Sequence, residues 1–190
     1  MKVLIILEDP TLDQYVVRPI VEQIFADLSR RARVSVLKDP HLRGAQQALD
    51  PEIVRGIIRD NPMEDLFILV VDRDCNRFGN QEKATSREAE QAGRLLACVA
   101  VEEIEVWMLA IHRKSLATSW AIVRAECDPK EAFWDPLAVA RGFRRPGVIA
   151  DGRKAAMRNI GQEWRGVLEV CPEIAHLKER IRVWIDARKQ

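Results

Sequence analysis

The run LFILVV at 66–71 carries no polar residue on either of its alternating faces. A strand of that kind must be covered on both sides, which places it centrally in a parallel sheet. Similar runs recur: KVLIIL at 2–7, a short VSVL at 34–37 and LACVAV at 96–101. Amphipathic stretches separate them. Residues 11–30 place Tyr15, Ile20, Ile24 and Leu28 at helical spacing, with Pro19 as a kink point. Asp50-Pro51-Glu52 reads as a helix start, followed by an Ile53, Ile57, Ile58 stripe and broken at Asn61-Pro62. A hydrophilic helix is expected at 81–94. This alternation argues for βαβ units: an α/β, Rossmann-like fold with about four strands in a mainly parallel sheet flanked by helices.

The rest of the chain reads as helical. Pieces are expected at 119–125, to about 140, at 151–162 and at 172–189, with a Gly/Pro/Arg loop at 141–147. The expected organisation is an α/β core over 1–118 and a helical C-terminal extension over 119–190, packed as one domain. At 190 residues the chain is long enough to bury a substantial core. Its longest apolar runs fall short of the roughly 20 residues that cross a bilayer, so no membrane association is expected. Met1 runs straight into a strand, leaving no room for a signal peptide. Cys75, Cys98, Cys127 and Cys171 form no CxxC pair, and no His stands at zinc-ligand spacing. They read as buried or incidental thiols of a cytoplasmic protein. The five tryptophans read as packing anchors.

Acidic residues stand where three of the apolar runs end. Glu8 and Asp9 follow the first, Asp72 and Asp74 the central one, and Glu102, Glu103 and Glu105 the last. Ligands of open α/β sheets bind outside the carboxyl ends of the strands, so these carboxylates should converge. Crowded like charges raise one another's pKa unless a cation sits among them, and hard oxygen ligands suit Mg²⁺ or Mn²⁺. On an extended chain Asp72 and Asp74 would face one cation while Arg73 turns aside. Asp9 or Thr11 can serve instead as a cap of the first helix, which leaves Glu8 as the better site residue. Glu105 lies in a helix expected to be buried nearly all round, so it needs a cation, a basic partner or a proton. Glu102 would share its face at i, i+3, and His112 lies two turns on.

Net charge is +1, but residues 141–165 hold seven basic residues (Arg141, Arg144, Arg145, Arg153, Lys154, Arg158, Arg165) against Asp151 and Glu163, a local +5. Such a flank beside an acidic metal site is what a phosphodiester substrate requires.

The acidic residue after the first strand, the DxD after a central strand and the helix VEEIEVWML at 101–109 together resemble the Toprim domain. The likeness is to its small stand-alone members related to the overcoming-lysogenisation-defect nucleases, often encoded beside an ATPase in bacterial defence loci. The stretch from Cys171-Pro172 to Leu177 resembles that group's tail. Two positions depart from the pattern: Asp9 stands where Gly usually follows the first acid, and Ile111 where a polar residue is usual. The resemblance implies Glu8, Asp72, Asp74 and Glu105 as metal ligands or acid–base groups and Lys154 as a phosphate contact; Glu102 joins the metal-ligand candidates through its spacing from Glu105. It implies Mg²⁺- or Mn²⁺-dependent hydrolysis of nucleic acid, DNA in preference to RNA, in a defence or DNA-maintenance system with an ATPase partner. Two other readings fit the same residues. One is a non-catalytic Toprim-like binding subunit of an ATPase complex. The other is a receiver-like phosphoacceptor built on Glu8, Asp9, Asp72 and Lys154, though receivers lack an acidic cluster like 102–105. Topoisomerase chemistry is disfavoured, because the sole tyrosine, Tyr15, reads as helix packing.

Overall fold

The structure, a computed structural model, describes residues 1–76, 79–144 and 149–188. Four strands, β1 (Lys2–Leu7), β2 (Arg33–Val36), β3 (Leu66–Asp72) and β4 (Leu95–Ala100), form one parallel sheet in the order β2-β1-β3-β4. The fold is thus the Rossmann-like α/β arrangement read from the sequence. α1 (Gln14–Asp27) links β1 to β2. α2 (Ala45–Ala48) and α3 (Pro51–Asp60) lead to β3, and α4 (Gly79–Glu90) leads to β4. After β4 the described chain is helical: α5 (Glu105–Ile111), α6 (Trp120–Ala125), a wide turn at Lys130–Trp134 running into α7 (Asp135–Ala140), then α8 (Arg153–Ala156), α9 (Ile160–Val170) and α10 (Pro172–Ala187). The single helix expected at 151–162 is broken into short turns before α9 begins.

Period-two alternation divides each strand between two cores. Val3, Ile5, Leu7, Ile68, Val70 and Cys98 point to one face, where Val17, Ile20 and Ile24 of α1, Trp107 of α5, and Ile174 and Ile181 of α10 cover them. Leu4, Ile6, Phe67, Leu69, Val71 and Val99 point to the other, under Val54, Ile57 and Ile58 of α3 and Ala84 of α4. Both faces of β3 are therefore dry, as its sequence requires. Asp50 caps α3, its Oδ1 accepting from the N–H groups of Glu52 (2.9 Å) and Ile53 (3.0 Å). No helix among the described residues is long and apolar enough to cross a membrane.

The cysteines correct the sequence reading. Cys98 and Cys171 are buried thiols, but Cys75 and Cys127 form a disulfide across 52 residues of sequence. Spacing alone could not pair them, because their proximity depends on how the C-terminal helices return to the sheet.

Those helices are pinned by one carboxylate. Glu173, at the start of α10, accepts from both Nη1 (2.7 Å) and Nη2 (3.0 Å) of Arg124 on α6, and from the indole Nε1 of Trp107 on α5 (2.9 Å). Glu173→Ala strands a guanidinium and an indole N–H, and should cost about 3 kcal/mol. Asp50→Ala, which removes an exposed cap, should cost about 1 kcal/mol. Urea denaturation measures both, and a Glu173→Ala loss no larger than that of Asp50→Ala would show that this junction does not hold the helices.

Candidate acidic site at the sheet edge

The order β2-β1-β3-β4 makes the gap between β1 and β3 the switch point: the chain leaves β1 towards β2 on one side and returns to β3 on the other. Open α/β sheets bind ligands at such a point. Leu7 pairs with Val70 and Asp72 with Ala100, so Glu8 and Asp72 emerge side by side at the carboxyl edge. Asp72 closes β3 and is fixed there by the N–H of Ile104, which donates to its Oδ1 at 2.9 Å. Asn80 Nδ2 donates to the Asp72 carbonyl at 2.9 Å. Asp9 is occupied locally, its Oδ1 accepting from Thr11 N at 2.8 Å. Glu8 is therefore the residue of that pair that faces the site.

Two acids already have basic partners. Glu105, 4% exposed, is ion-paired with Arg153, 2% exposed. Glu102, 3% exposed, is ion-paired with Arg73 and also accepts from Cys75 N at 2.8 Å. Arg73 does turn aside from the DxD, as the sequence suggests, but it turns onto Glu102.

Backbone conformation corrects two expectations. Glu102 lies before α5 with φ +63° and does not share a helix face with Glu105. Asp74 has φ +52°, so the chain beyond Asp72 is a turn and the alternation of an extended strand does not apply. Asp74 is exposed there, yet close enough to Glu8 to raise its pKa.

The remaining acids repel one another. Burial, and then the charge of Asp74, raise Glu8 to about 7, partly offset by hydrogen bonding with Asp72. Its buried Oε2 has no hydrogen-bond partner. Burial, then Glu8, Glu105 and Asp13, push Asp72 well above the usual carboxylate range. Burial and Glu102 raise Asp74. Asp13, 8% exposed at the head of α1, is raised to about 8 by burial, then by Glu105 and Asp9. Glu103 is raised to about 7 by burial, against a hydrogen bond from Lys130 N at 2.9 Å.

Asp13 and Arg153 are the members that sequence reasoning does not find. Asp13 carries no local signal, since it precedes a helix and looks like any capping residue. Arg153 reads from sequence only as one charge of the basic stretch. Gly152, at φ +82°, is required beside it, because a Cβ there would sit 2.8 Å from the backbone of Phe143.

The basic stretch is less available than its charge implies. Arg144 is paired with Asp135 at 3.1 Å, Arg153 with Glu105, and Arg165 with Glu169 at 3.4 Å. Arg145 lies outside the described residues. Lys154 lines an outer groove with Tyr15, Arg18 and Arg158. A second hollow, holding Lys38 and His41, meets that groove at Gln14, next to Asp13. His112 is a satisfied helix-end residue, its Nε2 3.0 Å from the Ala156 carbonyl.

The donor chemistry at the switch point fits a hard divalent cation: Glu8, Asp72 and Asp74 are oxygen donors whose pKa values are raised by their neighbours, and one buried oxygen is orphaned. Among the described residues no three acidic, His or Cys side chains stand in ready-made coordination, so binding would require these side chains to turn. No family model, curated protein or solved structure matches the chain.

Groups protonated in the fold but ionised when unfolded stabilise the protein fully below the unfolded pKa. They lose that contribution as pH rises through the folded pKa. Glu8 and Asp13, raised to about 7 and about 8, therefore predict a melting temperature in EDTA that falls as pH rises from about 5 to about 8.5. Asp13→Asn should flatten that slope. A flat wild-type profile, or one rising with pH, would contradict the crowding described here.

Proposed function

We propose that the chain is a Toprim-like, Mg²⁺- or Mn²⁺-dependent enzyme that hydrolyses phosphodiester bonds in nucleic acid. The observation that carries this reading is the set of mutually repelling carboxylates at the β1/β3 switch point, with the buried Glu8 Oε2 left without a partner. In this reading Asp72 and Asp74 would hold the cation, with Glu8 as general base or second ligand. The cation would supply Lewis acidity towards a phosphodiester oxygen and acidify a water. Glu8, raised to about 7, is suited to accept a proton near neutral pH. Glu105 and Glu102, already neutralised by arginines, would shape the site as positioning residues: Glu105 holds Arg153 behind it, and Glu102 holds the turn that carries Asp74.

The grooves that meet at Gln14 support a polyanionic strand as substrate. Lys154 and Arg158 line one groove and Lys38 and His41 the other, both reaching Gln14 beside Asp13, and there they would contact phosphates while the buried acids face the reacting group. DNA is the preferred polymer. Work beside an ATPase in a cytoplasmic defence or maintenance system follows from the Toprim likeness alone.

Purified protein with Mn²⁺ should nick plasmid or degrade single-stranded DNA, alone or with its ATPase. Asp74→Ala should abolish cleavage while leaving oligonucleotide affinity near wild type, since the metal acts mainly in the transition state. Lys154→Ala with Arg158→Ala should weaken binding and flatten its salt dependence by about one unit of slope for each phosphate no longer neutralised. Binding without cleavage under any divalent metal, with or without the ATPase, would refute the enzyme and favour a non-catalytic binding subunit. The neutralisation of Glu105 by Arg153 is what that second reading would have in its favour.

A further inference from the structure

We propose that Cys75–Cys127 is a reversible thiol–disulfide exchange site, open to a small dithiol in solution, that fastens the Asp74 turn when oxidised and releases it when reduced. The bond joins two exposed residues, Cα atoms 5.5 Å apart, from distant parts of the chain. Cys75 sits in the turn that ends β3, and Cys127 in the link between α6 and the Lys130–Trp134 turn. Exposure is what makes a disulfide open to attack by a thiolate.

The turn it fastens is held in an unfavoured conformation. Asp74 and Cys75 are consecutive non-glycine residues at φ +52° and +53°, a region that L residues adopt at a cost unless the surroundings impose it. What imposes it here converges on one spot. The Arg73 and Asp74 N–H groups donate to the Glu102 carbonyl (3.0 and 3.1 Å), and Cys75 N donates to the Glu102 carboxylate. The disulfide adds a covalent tie to the segment whose Lys130 N–H is held by Glu103. The β3 turn, the Glu102–Glu103 turn and the 127–130 segment are thus laced together. Cutting the disulfide leaves the Asp74 turn with its hydrogen bonds and the Arg73–Glu102 ion pair, and no covalent tie.

The chemistry is confined to this pair. Cys98 and Cys171 are buried, and burial pushes the Cys98 thiol up to about 12 and the Cys171 thiol higher still, so neither supplies a thiolate to reshuffle the bond. In the exchange, one thiolate of the dithiol attacks a sulfur of the pair and the S–S bond breaks, giving a mixed disulfide. The dithiol's second thiolate then displaces the remaining cysteine sulfur. The dithiol is oxidised to a disulfide, and Cys75 and Cys127 take up its two electrons and two protons as thiols. Intracellular disulfides, where they occur, are commonly transient or redox-sensing.

The tie itself is independent of the proposed function; only its effect on a cation at Asp74 rests on that reading. The full-length protein, air-oxidised or equilibrated with dithiothreitol, is treated with iodoacetamide under native conditions and mapped by mass spectrometry. Hydrogen exchange is followed over residues 74–76. The oxidised protein should take up no label, and the reduced protein two, on Cys75 and Cys127. Exchange of the 74–76 amides should quicken about tenfold on reduction, while the β1 and β3 amides stay unchanged. Cys127→Ser and Cys75→Ser should each show the fast exchange without reductant. Free Cys75 and Cys127 in the air-oxidised protein would overturn the proposal. So would equal native labelling of Cys98 or Cys171, or exchange at 74–76 indifferent to reduction. Faster exchange with unchanged Mn²⁺ affinity would support the tie and count against Asp74 as a ligand.

Discussion

The structure turns on how negative charge is accommodated at the carboxyl edge of a sheet that is dry on both faces. Among the described residues Arg153 and Arg73 pair with acids of this cluster, and both pair with acids of the β4–α5 junction. Removing Arg153 would take from the buried Glu105 carboxylate the guanidinium it pairs with, a far larger penalty than the net value of the pair. Burial and acidic neighbours raise the pKa of Glu8, Asp13 and Asp72. The broken helix at 149–159, the tight Gly152 and the positive-φ turn at 102 all serve to bring these groups together.

The C-terminal helices also belong to this arrangement. α8 delivers Arg153, α9 packs beside α5, and α10 sets Glu173 against Trp107 and Arg124. The α5 helix, which begins with Glu105, is therefore held by α9 and α10 as well as by Arg153. The Cys75–Cys127 bond links the same helical layer to the β3 turn. Site geometry and the packing of residues 119–188 are accordingly one problem, since a shift in the helical layer moves Arg153 and the Asp74 turn together.

The strands were legible because their chemistry is local. A six-residue apolar run such as 66–71 has few alternatives to a buried strand, and the acid that ends it must emerge at the sheet edge. The burial of Glu105 was legible from the apolar circumference of its helix, and its need for a partner followed from the cost of a lone buried charge. The partner itself was not legible, because Arg153 is 48 residues away and reaches Glu105 through tertiary packing. Asp13 escapes a sequence reading for the same reason. The Asp74 and Glu102 turns escape it because a positive φ at a non-glycine residue is imposed by surroundings that no local pattern encodes. The tryptophans do pack as anchors, with Trp107, Trp134, Trp164 and Trp184 buried in the core. Tyr15, which reads as packing, is half-buried and lines the outer groove.

If the crowded acids are a cation site, the same carboxylate that destabilises the metal-free protein must be the one that makes metal stabilising. Thermal melts of wild type and Asp72→Asn in EDTA and in Mn²⁺ test this most directly. The wild type should gain about 2.7 kcal/mol at a hundredfold excess of Mn²⁺ over its dissociation constant. Asp72→Asn should melt higher than wild type in EDTA, because like-charge repulsion is relieved, and should gain nothing from Mn²⁺. An Mn²⁺ gain undiminished in Asp72→Asn would place the cation elsewhere and contradict the account.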